Sequence, residues 1–394
     1  MRKIAYFLLR TEEENDQLYG GTWSNLFTIS RISSFTPVVI VNEEDVLLRV
    51  LSDRKIQHVT IKGKYPLVHT RKNLFKAFSA FFKLIEYNYK IFRFCLGDQS
   101  IAIVQCDDRA ALMIFLGAKL AGKKLVIAVR NYKNFVSTIK TIFKIPMMLA
   151  DGIVATSDAL LRSVQSQISS SAKNFHCCIY NAIDLSEVAD AKRNSDKREA
   201  RRDLGIQEGE VAIGLVGAIV PFKGQAAFIQ DCMSGMKDQM EKLNAKIYFL
   251  GGIKDEGYGE LCSHAVKSNN LDNLTKFCGY TEKIYQWYRA LDFVIYPGIE
   301  GIARVLIEAQ AFGLPVIAFE GCREVVVHNK SGFLCRDFSD MRNAIIALSE
   351  NATGREEMGR FGETFIREKF AIENNVRRYE DFYQKIIPRE NENS

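Results

Sequence analysis

The stretch FVIYPGIEGIARVLIEAQAFGLPVIA, residues 293–318, decides the fold. A short β-branched and aromatic run breaks at Pro297-Gly298, a glycine-containing loop follows, and a helical pattern sets in near Ile302. The pattern ends at Gly313, and Pro315–Ala318 reads as the next buried strand. Strand, helix and strand in such quick succession is the signature of a parallel sheet with crossover helices. A helix that starts directly after a strand presents backbone N–H groups and a positive dipole end, so a phosphate could dock there. Glu300 sits in the loop and Glu308 eight positions on, about two helical turns, so both can face one cleft. Two acceptors so spaced suit the hydroxyls of a sugar and of a ribose. Taken alone, the stretch reads equally well as a capped surface helix with two solvated glutamates.

The neighbouring sequence repeats the pattern. GLVGAIVPFKG (214–224) is a strand, a glycine turn and then Lys223 just ahead of a helix, where a lysine can neutralise a diphosphate as a point charge. Gly217 lies in that turn, and Gly251 ends the strand that closes in FLGG (249–252). FCGYT (277–281) ends another strand in glycine, with Tyr280 following. Glycine at a strand end lets backbone approach a ligand closely. No P-loop and no G-x-G-x-x-G fingerprint is present.

The same alternation runs through the rest of the chain. Strands are expected at Ile4–Leu9, Val38–Val41, Val59–Ile61, Ile101–Gln105, Lys124–Ala128 and Gly152–Ala155. A second series covers Val211–Val216, Lys246–Leu250, Leu274–Phe277, Phe293–Tyr296 and Pro315–Ala318. A polar, charged segment at Asp190–Arg202 separates the two, which places the domain boundary near 184–202. The expected architecture is α/β, with two doubly wound Rossmann-like domains facing a cleft: residues 1–184, residues 185–370, and a C-terminal helix in 371–394. That helix, about Ile372–Ile387, is amphipathic and rich in Tyr and Phe, but the sequence alone does not place it.

With 47% apolar and 25% charged residues in 394, the composition is that of a globular protein and excludes a disordered, collagen-like or coiled-coil chain. No apolar run reaches the roughly 20 residues that cross a bilayer. The N-terminal apolar run, Ile4–Leu9, is too short for a signal peptide, so a cytoplasmic location is expected. Nine cysteines in irregular spacing read as small core residues, and five scattered histidines offer no metal-ligand spacing.

As a set, these features resemble the family-four retaining glycosyltransferases of the GT-B fold. The Glu300/Glu308 pair with GLPVIA, EGCREVV and SGFL carries the likeness, together with VGAIVPFKG and FCGYTEKIYQWYRALDFVIYPGIEG. ADGIVATSDAL (150–160), IYNAID (179–184) and the Gly20-Gly21 pair extend it into the first half. The resemblance implies transfer of a sugar from a nucleotide-sugar, most readily a UDP-sugar, to a saccharide or lipid-linked saccharide in bacterial surface polysaccharide or glycoconjugate synthesis. It implies that Glu300 contacts donor-sugar hydroxyls and that the amides of Gly301, Ile302 and Ala303 meet the phosphate. Glu308 would hold the ribose, Lys223 the diphosphate, and Tyr280 the base by backbone contacts. Gly217 and Gly251 would border the donor, Gly20 and Gly21 would approach it from the first domain, and the C-terminal helix would cross back onto that domain. No metal or other cofactor is implied.

Two positions depart from the family pattern. Ala218 stands where an arginine commonly pairs with the lysine, which leaves Arg304 as the candidate second cation. Arg130 and Asn131 stand where a histidine often follows the strand ending VIAVR. A nucleotide-sugar-binding protein without turnover, or an epimerase on the same fold, is the alternative.

Charge is split between the halves. Residues 1–180 carry 25 Lys/Arg against 14 Asp/Glu, an excess of +11, and the remainder carries −5. Arg54–Arg93 holds ten basic residues and the single acid Glu86, and Arg109–Ala150 holds eight basic residues and no acid. Within Thr70–Phe94, Leu74, Phe78, Phe81, Phe82, Ile85 and Tyr89 recur at spacings of three and four, flanked by Lys/Arg. An anionic membrane surface would suit segment 54–94 as a partner. The same pattern also suits a helix packed under a sheet with its lysines in solvent. No nucleic-acid recognition motif accompanies it, so nucleic acid is not an expected partner.

Overall fold

In the computed structural model the chain forms two units, Met1–Ala182 with Ile372–Ser394, and Ile183–Ala371. The structure describes residues 1–8, 20–43, 47–62, 74–130, 141–168, 174–194, 196–299 and 301–387, with side chains from 25, 81 and 144 onward in the helices that open at 20, 74 and 141.

Unit 1 is built on a parallel sheet of β1 (Lys3–Phe7), β2 (Thr36–Asn42), β3 (His58–Ile61), β4 (Ile101–Asp107), β5 (Lys124–Val129), β6 (Gly152–Ala155) and β7 (Phe175–Cys178). The order is β3-β2-β1-β4-β5-β6-β7, so the chain winds outward from β1 in both directions. Buried β-branched runs such as KLVIAV in β5 are what a sheet covered on both faces requires. On one face lie α1 (Gly20–Arg31) and α2 (Leu47–Asp53), whose Leu26, Leu47 and Leu51 share a core with Val39 and Val126. The other face is covered by α3 (Leu74–Gly97), α4 (Ala111–Leu120) and α5 (Thr141–Leu149), through Tyr87, Ile91, Met113, Ile114 and Met147.

The charged segment expected as a boundary is folded. It forms α6 (Leu185–Asn194) and α7 (Lys197–Leu204), both in unit 2, and Asp196 caps α7 by accepting from the Glu199 amide. Arg201 and Lys197 fix α7 to the sheet through the buried Asp292 carboxylate, at 2.6 and 2.8 Å. The high charge of this stretch served ion pairing within a domain rather than a linker.

Unit 2 has a parallel sheet of β8 (Val211–Val216), β9 (Ala245–Leu250), β10 (Thr275–Gly279), β11 (Phe293–Tyr296), β12 (Val316–Phe319) and β13 (Gly332–Cys335), in the order β10-β9-β8-β11-β12-β13. Helix α8 (Ile284–Ala290) leads into β11, and α9 (Arg304–Ala311) joins β11 to β12. Six of the cysteines are buried, Cys95 and Cys106 in unit 1 and Cys232, Cys262, Cys322 and Cys335 in unit 2.

The C-terminal helix α10 (Ile372–Ile386) belongs to unit 1, on the face that carries α1. Tyr379, Phe382, Tyr383 and Ile386 recur at spacings of three and four and are buried there. Tyr6 Oη donates to Tyr383 Oη at 3.1 Å, and Tyr383 Oη donates to Gln105 Oε1 at 2.7 Å. A Cβ on Gly152 would lie 2.5 Å from Ile386 Cδ1, so a bare backbone there admits the helix.

Candidate functional site

The C-terminal ends of β8, β9, β10 and β11 gather most of the residues that the sequence singled out. Beyond β8, Pro221–Lys223 form a single 3-10 turn ended by Gly224 at φ +75°. A Cβ at Gly224 would lie 2.6 Å from the Pro297 carbonyl oxygen, so only glycine lets this turn reach the loop after β11. Lys223 is thereby delivered to the end of β11. Its Nζ donates to Tyr296 Oη at 3.2 Å and lies over the Tyr296 and Phe222 rings, 5.1 and 5.4 Å from their centroids.

Gly251, beyond β9, is pressed against the β8 loop. A Cβ there would fall 2.1 Å from the Gly217 carbonyl oxygen. Its small size is thus used for backbone-on-backbone packing, which holds the two loops together. Tyr280, beyond β10, is 78% exposed and stands next to Gly252.

Beyond β11, helix α9 begins at Arg304, two residues later than the sequence pattern suggests. Ala303 is the cap residue, with extended backbone and no side-chain hydrogen bond. No cap side chain therefore takes up the N–H groups of the first turn, which is the condition for anion binding at a helix start. Gly301 and Ile302 lead into this turn. Glu300 lies outside the described residues.

Glu308, one turn into α9, is held on both oxygens. Arg304 Nε donates to Oε1 at 2.6 Å, and Tyr288 Oη, from α8, donates to Oε2 at 3.0 Å. The carboxylate is mostly covered, with 14% of its side chain exposed, while Arg304 keeps 36%. Burial pulls the Arg304 guanidinium down, but the Glu308 charge outweighs it and holds the cation firmly protonated. Burial and the same charge push the Tyr288 hydroxyl well above its usual range, so it stays a donor. Each oxygen keeps a further lone pair for a ligand hydroxyl.

Sequence reasoning missed Tyr288 and Tyr296. Each orients one of the predicted side chains across the sheet from a different element, and no local pattern marks such a tyrosine. The Arg304–Glu308 pair was legible as an i,i+4 contact on a helix.

In unit 1, Gly20 and Gly21 form the first turn of α1. Arg130, at the end of β5, pairs with Asp107 at the end of β4, Nε to Oδ1 at 2.8 Å, and also donates to Asn25 Oδ1 of α1. These groups, with Gln105, Tyr379 and Tyr383, line a small cavity that Phe7, Ile29 and Ile32 also border. The arginine in the histidine's place is tied into an ion pair of the fold. Ala218 offers only its carbonyl, which accepts from Gln225 Nε2 at 2.9 Å.

Among the described residues no cluster of His, Cys, Asp and Glu could hold a metal ion, and no helix is long and apolar enough to cross a membrane.

Comparison with known proteins agrees with this picture. Residues 210–351 match the family described as "Glycosyl transferases group 1". A D-inositol 3-phosphate glycosyltransferase of Kribbella flavida is 29% identical over 175 residues, 42% of this chain and 41% of the relative. The chain thus spans about two fifths of that relative's length. The capsular polysaccharide biosynthesis glycosyltransferase CapM of Staphylococcus aureus is 24% identical over 66% of this chain and 67% of its own. The crystal structure of Anabaena Alr3699/HepE in complex with UDP superposes with a TM-score of 0.76 at 17% identity, covering 98% of this chain and all of that one. The chain therefore has the GT-B architecture, and its residues 210–351 are similar to the glycosyl transferases group 1 family.

Proposed function

We propose that this protein is a retaining glycosyltransferase that moves a sugar from a nucleotide-sugar, a UDP-sugar first of all, to a saccharide or lipid-linked saccharide of a bacterial surface polysaccharide or glycoconjugate. The observation that carries the reading is the convergence, at one end of the unit 2 sheet, of Lys223, the uncapped start of α9, and the Arg304–Glu308–Tyr288 group. The UDP named with HepE and the capsular polysaccharide named with CapM support the choice of donor and product class.

The chemistry follows from these groups. Glu308 accepts the ribose hydroxyls on its remaining lone pairs, held in place by Arg304 and Tyr288. The first-turn amides of α9 and the Lys223 ammonium meet the diphosphate. As the sugar–phosphate bond breaks, negative charge grows on the leaving oxygen, and fixed cations and amides aimed there lower the barrier without reorganising. Arg304 adds a second cation in place of the absent arginine at Ala218. Glu300 would orient the donor sugar through its hydroxyls. The leaving diphosphate is thus carried by side chains and amides, with no divalent metal required.

Hydrolysis and transfer assays across UDP-, GDP- and ADP-sugars test the reading, with and without EDTA. Turnover of one donor, unchanged by EDTA and lost in Lys223→Ala, is expected. Tight nucleotide-sugar binding with no turnover of any donor would favour a non-catalytic binding protein, and full dependence on manganese or magnesium would overturn the metal-free mechanism.

A further inference from the structure

Helices α3, α4 and α5 form one layer on unit 1, and their outward side is apolar. The core takes Tyr87, Ile91 and Cys95 of α3, whereas Phe81, Phe82, Ile85 and Tyr89 are 51–61% exposed. The apolar repeat that the sequence offers as a buried stripe is therefore the one facing solvent. Packing beside it, α4 buries Met113, Ile114 and Ala118 and exposes Leu116 and Leu120, the latter at 67%. Next to α4, α5 buries Met147 and exposes Ile145, Met148 and Leu149. Large side chains placed singly on a surface need no explanation, but three adjacent helices that all turn aromatic or aliphatic side chains outward do.

Charge limits what covers them. Lys83, Lys90 and Arg93 lie on α3, Lys119 on α4 and Lys144 on α5. Among the described residues of these helices the one acid is Glu86, bonded to Lys90 at 2.5 Å. Asp151, just past α5, is bridged by Lys119 and Lys124. A second copy docked face to face would set these cations against their own equivalents, which like charges resist. Apolar tips, aromatic rings and a basic border together match the interface of an anionic bilayer, where side chains enter the acyl boundary and ammonium groups stay among the headgroups.

We propose that the outward face of α3, α4 and α5 seats the protein on an anionic membrane surface. The seat is a three-helix face, wider than the basic segment 54–94, and it stands whatever unit 2 transfers.

Co-sedimentation with vesicles of phosphatidylglycerol and phosphatidylcholine tests it. Wild type should sediment strongly with mixed vesicles at low salt, less as salt rises, and weakly with phosphatidylcholine alone. The double variant Ile85→Ser, Leu120→Ser, at positions already exposed, should bind at least about tenfold more weakly with an unchanged melting temperature. Lys83→Gln with Arg93→Gln should lower binding and flatten its salt dependence. Leu261→Ser, exposed on unit 2, serves as a control and should change nothing. Absence of sedimentation at low salt, or equal binding by the serine variant, overturns the proposal. So does a stable dimer in size-exclusion chromatography that the serine variant abolishes, because a second copy would then cover the face.

Discussion

Arg304 and Glu308 are bonded to each other one turn apart on α9, Nε to Oε1 at 2.6 Å, so the proposed ribose acceptor and the proposed second cation share one group. Tyr288 holds the opposite carboxylate oxygen at 3.0 Å. Glu308→Ala should weaken nucleotide binding by about 1.5–3 kcal/mol, because it removes a charged acceptor and strips two donors of their partner. Tyr288→Phe should cost less, as Arg304 still orients the carboxylate. Calorimetric titration with UDP checks both, and equal affinity in Glu308→Ala and wild type would sink the assignment.

Lys223 is aimed by the Tyr296 hydroxyl at 3.2 Å. Lys223→Ala should lower transfer by roughly 10²–10³-fold, the scale seen when a donor to developing charge is removed, with a smaller loss of donor affinity. Tyr296→Phe leaves the ammonium present but less fixed and should cost about tenfold or less. Steady-state kinetics separate the two, and a loss confined to KM in Lys223→Ala would show that the lysine only binds.

Gly224 combines φ +75° with a Pro297 carbonyl 2.6 Å from where a Cβ would be. Gly224→Ala should therefore displace the Lys223 turn and destabilise unit 2 by about 1–3 kcal/mol. Gly257→Ala, whose Cβ would meet nothing nearer than Asp255 Oδ1 at 3.8 Å, should leave turnover intact. Thermal melts and transfer rates of the two variants give the comparison.

Asp108 follows the end of β4. Burial and the neighbouring Asp107 charge push its carboxyl up to about 7, against the pull of Arg109 and Arg130. A carboxyl raised in the folded state favours folding while it is protonated in both states, below about pH 4. That contribution is lost as pH rises through about 7. Asp108→Asn removes it, so the melting temperature of wild type relative to the variant should fall between about pH 4 and pH 7. A constant difference across that range would show that Asp108 is not buried as an acid.

Much of the α/β order was legible because it is local information. VAIGLV, FVIY and GIVA coincide with β8, β11 and β6, and the glycine breaks after the first two end strands as expected. The edge strands β7 (FHCC) and β13 (GFLC) escaped notice, being four residues long and only partly buried. The spacing of Glu308 behind its loop, and Lys223 at a strand-to-helix turn, were readable for the same local reason.

What the sequence by itself determined is therefore the parallel α/β class, the strand-end glycines and the residue types offered for chemistry. These depend on periodicity and backbone freedom over a few residues. The tertiary structure alone decided that Tyr288 and Tyr296 orient Glu308 and Lys223, because those pairs are made between elements brought together by sheet order. It also decided which stripe of α3 is buried. That helix is apolar on two adjacent sides, and only packing against the β-sheet and α4 selects Tyr87, Ile91 and Cys95 over Phe81, Ile85 and Tyr89. The place of α10 was likewise set by its fit, since an amphipathic face rich in tyrosine suits many surfaces. The bare backbone of Gly152 and the Tyr6–Tyr383–Gln105 hydrogen bonds exist on only one face of unit 1.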